Sequence, residues 1–485
     1  MRAKGLSLLQ EAEEIAWGIA DAKERADALK EIIEVRALDD VAEAERLARS
    51  LPEEESRTRA LLRVVEGAVG HDLDGAERIA RTMPAGEERV QALARVACRL
   101  GLQESARALR LLEEARRIAR SLRDDKERAD ALYEVARALA RHAPSDAGRL
   151  AKSITRTSGR RLALRDVAEA MAEKDPRAAE RIVGDLAGWA DERTRRMVVQ
   201  RAAEVVAAVH DVSEAARLLS SIDDEEERSW RLARVVESAA PRDPAGAERL
   251  ARTIPDRKDQ IHALWSVLDV VTERDAAEAE RVAGSFPGDD PQRRLWRVAF
   301  VLARHDPAEA ERRARMLRDG RDRSSALRAI AEAVLEHDRR RAARLLAEAE
   351  RAARGASRRG TGSVELQLIA PLVAACDPAE AARIIGDIGT QEARDATREE
   401  AAGKAAAYDP PGAERLARTT EDPYHRAWNL RTVAVEAARH RHLAEAERIA
   451  RGITEHPCLR AWALAGIAEV LLRASGDAPA SPDPV

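Results

Sequence analysis

The sequence predicts an all-α fold, an α-solenoid of about fourteen stacked helical hairpins forming a superhelix, and three observations carry that prediction. The stretch DPAGAERLARTIPD, Asp243 to Asp256, is rewritten as DGAERIARTMPA from Asp74 and as PPGAERLARTTED from Pro410. Taking one Ala of each such segment as anchor gives Ala12, Ala44, Ala76, Ala115, Ala147, Ala179, Ala215, Ala247, Ala279, Ala310, Ala349, Ala381, Ala413 and Ala446, spaced by 31 to 39 residues and mostly by 32. A near-fixed step of that size is the signature of a repeat array in which each unit buries its apolar face only against its neighbours. Composition agrees: 45% hydrophobic and 35% charged residues with only 2% aromatic describe helices packed through small and aliphatic side chains.

Each repeat opens with a short helix. Ala247, Leu250, Ala251 and Ile254 fall on one helical face. Its start is written as an Asp cap followed by Pro, at Asp243-Pro244 and again at Asp175-Pro176, Asp306-Pro307, Asp377-Pro378 and Asp409-Pro410. Glu248 precedes Arg252 by one turn, as Glu77 precedes Arg81 and Glu447 precedes Arg451, which predicts ion pairs on the outer face of the helix. A polar loop follows, then a second, longer helix, on which Leu132, Val135, Ala136 and Leu139 form the corresponding apolar stripe.

Two steps of 39 residues carry about two extra helical turns, in QESARALRLLEEARRIARSL and RRRAARLLAEAERAARGAS. These predict lengthened helices that project beyond their neighbours as docking points. RGASRRGTGS, Arg354 to Ser363, is expected to be a plain loop, since it lacks the strand and the Lys-Ser/Thr ending of a phosphate-binding loop. The domain reading is one solenoid over residues 1–473 and a disordered tail over 474–485.

Phased as ERADALYEVARALARHAPSDAGRLAKSI, Glu127 to Ile154, the repeat resembles the tetratricopeptide family: Leu132, Val135, Ala136 and Leu139 match its first-helix core and Ala147 lies within one residue of its second-helix Ala. The resemblance spans Ser7 to Arg473, but the family's paired aromatics are mostly missing and the step is 32, so HEAT-like stacking stays open. It implies a concave groove that receives peptides. Trp230, Trp428 and Trp462 fall two residues before the core Leu of the long helix, while Trp265, Trp296 and Tyr133 fall one after it, both positions that face the groove in that family. Trp230, Trp265, Trp296 and Phe300, rimmed by Arg231, Arg293, Arg294 and Arg297, are the expected partner-binding patch. Trp17 and Trp189 fit neither position and are read as structural.

Chemistry is sparse. The chain shows no HExxH, GxSxG or Walker loop, so no catalytic residues, cofactor or metal site are expected and the protein is read as not an enzyme. Cys98, Cys376 and Cys458 are too far apart for a CxxC motif, consistent with a reducing, cytoplasmic setting. Glu11, Glu13 and Glu14 interrupt the N-terminal apolar run, arguing against a signal peptide, and no stretch approaches a membrane span. The strong preference for Arg over Lys fits GC-rich bacterial coding. A net charge of −4 argues against nucleic acid as partner.

Ahead of the anchors runs a column of polar or basic residues: His71, His142, Lys174, His210, Arg242, Arg274, His305, Cys376 and Tyr408. Successive repeats lie too far apart to share one ion, so the column is expected to cap helix C-termini. The leading function is an interaction scaffold for a peptide or protein partner. The alternatives are a sensor solenoid acting with a separate effector or small ligand, and a nucleic-acid-binding helical repeat.

Overall fold

A computed structural model of the chain describes residues 1–101, 104–174, 192–220, 222, 224–287, 290–356 and 362–474. Among them are 27 helices and no strand, an all-α array of stacked hairpins. The expected features at Asp175-Pro176, Ala179 and Trp189, the centre of the loop after Ala356, and the tail from residue 475 lie outside the described residues. No helix among those described is long and apolar enough to cross a membrane.

The chain divides into two compact units, residues 76–290 and residues 1–75 with 291–485. In the first, the principal helices are α6 (Glu87–Arg99), α7 (Ser105–Ser121), α8 (Asp125–His142), α9 (Pro144–Ser153), α10 (Thr157–Lys174), α11 (Glu192–Val209), α12 (Val212–Leu219), α13 (Glu225–Ala239), α14 (Pro244–Arg252), α15 (Arg257–Arg274) and α16 (Ala276–Ala283). The second contains α17 (Pro291–His305), α18 (Pro307–Arg315), α19 (Gly320–Val334), α20 (Arg339–Ala356), α21 (Gly362–Cys376), α22 (Pro378–Gly386), α23 (Gln391–Ala406), α24 (Pro410–Arg418), α25 (Pro423–Arg439), α26 (Leu443–Arg451) and α27 (Pro457–Ala474). It also holds α1 (Arg2–Trp17), α2 (Ala22–Ala37), α3 (Val41–Ser50) and α4 (Glu54–Ala68), while α5 (Leu73–Thr82) straddles the division. In each unit a long helix packs on the next long helix, with the short helices layered against one side.

The repeated dozen residues are a local folding program. Asp243 accepts from the Gly246 N–H at 2.8 Å, and Asp409 does the same for Gly412, closing the N-terminus of α14 and of α24. A Cβ on either glycine would run into that capping carboxylate. At the other end the Thr253 hydroxyl donates to the Leu250 carbonyl at 2.7 Å, as Thr419 does to Leu416. The next apolar residue turns inward: Leu51, Met83, Ile154, Ile254, Leu317 and Ile388 are all buried. A second Asp then starts the long helix, as Asp124 does by accepting from Lys126 and Glu127.

One further device fixes the angle between the two helices. The Arg at the first turn of the long helix reaches back six residues to the loop carbonyl: Arg57 to Leu51 at 2.9 Å, Arg128 to Leu122 at 2.8 Å, Arg394 to Ile388 at 2.8 Å and Arg426 to Thr420 at 2.9 Å. Where Gln260 replaces it, the amide reaches Arg252 O at 3.0 Å. There the amide ends on the last residue of α14 rather than on the loop carbonyl six residues back.

The expected outer-face ion pairs form, but their carboxylates are not solvated. Glu77, Glu248 and Glu414 are 7%, 6% and 8% exposed. Each is held between the Arg one turn on and a basic residue of the next repeat: Arg252 and Arg281 for Glu248, Arg418 and Arg448 for Glu414. The ladder joins repeats rather than merely decorating a helix.

The lengthened helices are α7 and α20, with 17 and 18 residues. Their added turns pack down instead of projecting. Ala108, Leu111 and Leu112 on α7 are buried, as are Ala342, Leu345 and Leu346 on α20, and Arg107 and Arg341 reach Glu77 and Glu311 of the preceding repeat at 2.7 and 2.6 Å. The helix α1 is a third copy of this form, burying Gly5, Leu8 and Leu9 at the same positions before its anchor. Against it lies α27, in the place that α6 takes against α7. Lys4 pairs with Glu447, and Arg451 with Glu11 at 2.8 Å, which repeats the register of Arg315 with Glu348 at 3.0 Å. In this unit the first and last helices stack as ordinary neighbours.

Candidate interaction surface

Each long helix has a buried face and an uncovered stripe, and the repeat sets which residues fall on it. On α25 Ala427, Leu430, Val433, Ala434 and Ala437 are buried. Trp428, Arg431, Thr432 and Val435 occupy the other side at helical spacing and are half-buried. The aromatic residues singled out by position lie at this partly exposed level: none of the six described tryptophans is fully buried.

The expected patch divides between the two units. In residues 76–290, Trp230 on α13 is 50% exposed, with Arg231 lying 5.7 Å from its ring. That guanidinium is already engaged, donating to Glu227 at 2.6 Å and to the Arg196 carbonyl at 3.1 Å. Trp265 on α15 is half-buried and meets Phe286 edge-on, ring centres 5.4 Å apart. Tyr133 on α8 donates to Asp166 at 2.9 Å, and burial together with that carboxylate pushes its phenol up to about 12. In the other unit Trp296 and Phe300 of α17 are half-buried and stack at 6.0 Å. Arg293 and Arg294 are exposed, whereas Arg297 is only 6% exposed and belongs to the packed side of α17 rather than to a rim. Trp17, read as structural, is 40% exposed at the end of α1.

A second aromatic group, not included in that patch, sits on α25 and α27. Tyr424, 49% exposed, lies one turn before Trp428 on the same stripe. Trp428 donates to Glu399 of α23 at 2.9 Å. The Arg431 guanidinium lies 4.9 Å from the Trp428 ring and 5.9 Å from the ring of Trp462 on α27. The signal was in the sequence, since Trp428 and Trp462 share one repeat position. What the sequence did not display was the one cation that both rings share.

Part of the polar column meets helix C-terminal carbonyls, as expected, but those of a neighbouring repeat. Five of its members reach carbonyls of the preceding repeat rather than capping their own helices. His142 Nε2 lies 3.0 Å from the Ala97 carbonyl, His210 Nε2 lies 2.9 Å from that of Ala172, Arg242 reaches His210 O and Arg274 reaches Pro241 O. The Cys376 thiol faces Arg339 O at 3.7 Å. These five are stitches between repeats. Among the described residues no group of three or more His, Cys, Asp or Glu is placed to hold a metal ion.

No protein-family model and no curated protein matches the chain. Among solved structures, Ton1535 from Thermococcus onnurineus NA1 is 14% identical, covering 81% of this chain and 94% of its own, with a TM-score of 0.26. A circular tandem repeat protein with novel repeat topology and enhanced subunit contact surfaces is 17% identical over 98% of this chain and 99% of its own, with a TM-score of 0.15. Superpositions this loose carry no argument about function.

Proposed function

We propose that the protein is a non-enzymatic interaction scaffold of the bacterial cytoplasm, binding a peptide or protein partner along the uncovered stripe of its long helices. The observation that carries this reading is the placement of the aromatic residues. A chain with only 2% aromatic residues keeps Trp230 half-exposed and Trp265, Trp296, Trp428 and Trp462 only half-buried. Exposed aromatic surface is costly in water and is enriched at binding hot spots. The arginine-to-carboxylate pairing of the short helices, by contrast, leaves that side internally neutralised.

Trp230 is the cleanest probe, because Trp265 also packs on Phe286 and its truncation would cost stability. Trp230→Ala is expected to weaken partner binding at least tenfold while leaving thermal unfolding within about a degree of the parent. The measurement is recovery of a partner co-purified with the wild-type chain, quantified by mass spectrometry for wild type and variant side by side. Equal recovery from both would overturn the assignment of this stripe.

A further inference from the structure

The guanidinium of Arg431 lies over the rings of Trp428 and Trp462 and engages no carboxylate or carbonyl among the described residues. That sets it apart from the arginines of the ladder and of the loop clasps, which end on Glu, Asp or a backbone oxygen. Its Nε is buried without a hydrogen-bond partner, and so is Nε1 of the neighbouring Trp462. Both atoms are closed off by the surrounding protein, so an acceptor from outside meets the guanidinium through its terminal nitrogens.

The surroundings make the group rigid. Trp428 is fixed by its hydrogen bond to Glu399, and Val435 lies close enough to Gly466 that a Cβ there would fall 2.7 Å from Val435 Cγ2, which locks α25 against α27. A guanidinium stacked on aromatic faces keeps its edge free for bidentate recognition, with its rotamer entropy already lost. Tyr424, exposed one turn ahead, adds an apolar shoulder.

We propose that Trp428, Arg431 and Trp462 form a receptor for a single carboxylate side chain of a peptide partner, an Asp or Glu flanked by apolar residues. The proposal rests on the scaffold reading and names the partner chemistry at one place on it. Charge complementarity selects the acid: Arg431 is the cation, and bidentate pairing to a carboxylate is its strongest available interaction. The acids around it repel further negative charge, so the site suits one carboxylate and not a polyanion. On α2, Glu24, Asp27 and Glu31 face Cys458 of α27 and, after burial itself, help push that thiol up to about 12. Beyond them Glu34 is surrounded by Glu31, Glu66 and Glu469, with Arg63 as its counter-charge. A segment with one acid and a basic residue beyond it fits this gradient; a nucleic acid does not.

The test is a titration of intrinsic Trp fluorescence with two synthetic peptides, acetyl-Leu-Glu-Leu-Leu-Lys-amide and the same peptide with Gln in place of Glu. The expected result is saturable binding of the acidic peptide, at least tenfold weaker for the Gln peptide and for the Arg431→Gln protein. Arg431→Lys, which keeps the charge but loses the planar stack, should fall between wild type and Arg431→Gln and covers the case that the latter folds poorly. Equal response to both peptides, no response to either, or unchanged affinity in both folded variants would overturn the carboxylate site. So would tighter binding of a poly-uridine oligonucleotide than of the acidic peptide. Failure here with Trp230-dependent partner recovery intact would leave the scaffold standing and remove only this site.

Discussion

At the scale of single residues, the buried glutamates of the ladder are the most informative. Burial alone would raise the carboxyls of Glu248, Glu350 and Glu414, yet the hydrogen bonds from their paired arginines outweigh it and hold all three below the ordinary glutamate value. A folded-state pKa below the unfolded one means stability that is present above the unfolded value, near 4.3, and lost as the pH falls through the lower folded value. Glu414→Gln should therefore cost about 1–2 kcal/mol of local stability at neutral pH, because Arg418 and Arg448 lose a charged acceptor while staying half-exposed themselves. It should also flatten the loss of stability below about pH 4. Hydrogen exchange of α24 and α26 over a pH series reads both effects, and an unchanged pH profile would refute the ladder as an energetic link. Sequence alone showed the Glu–Arg pairs within each helix. It could not show that a partner from the next repeat arrives on the other side, because that depends on the stacking register.

Helix spacing is governed by small residues, and two glycines separate its consequences. On α23, a Cβ at Gly403 would meet only Thr432 Cγ2, at an ordinary 3.7 Å. Gly403→Ala should then stabilise the chain by about 0.5–1 kcal/mol, by limiting the unfolded state and favouring helix. On α27, the Cβ of Gly466→Ala would press on Val435, so the same substitution should destabilise by about 1–3 kcal/mol through overpacking. Thermal unfolding of the two variants should move in opposite directions; movement in the same direction would contradict the close approach of α25 and α27. Most of this level was legible beforehand. The Asp caps, the short-helix stripe and the lengthened helices follow from local periodicity. The Arg that clasps each loop was equally regular in the sequence, but one more Arg among 75 gives no sign that it reaches six residues backwards to a carbonyl. The polar column was visible as a column, whereas its acceptors belong to the neighbouring repeat and are hidden from any single helix.

For the molecule as a whole, the decisive contact is that of the first helix with the last. The pattern MRAKGLSLLQEAEEIAWG has the lengthened form of α7 and α20, and such a helix needs a preceding long helix to cover its added turns. That requirement is readable in the sequence, but which helix meets it is not, because local periodicity does not say which distant repeat packs on α1. In the structure α27 supplies the cover. A Cβ on Gly5 would already touch Ala468 O and the side chains of Leu471 and Leu472, and the latter two are 1% and 4% exposed. Removing residues 1–18 should thus loosen α27 as well as α2, although hundreds of residues of chain separate the two. Uncovering Leu471 and Leu472 costs about 1.5–3 kcal/mol for each side chain that becomes fully exposed. Hydrogen exchange should show α27 losing protection at least tenfold, and a milder version should follow from reversing Lys4 and Arg451 to Glu together, since those side chains carry the ladder across the junction. If the contact carried no energy, only α2 would loosen, and α27 would exchange as in the full chain. That outcome would show the junction to be incidental, whereas coupled loss in α2 and α27 would establish that the termini share one continuous core.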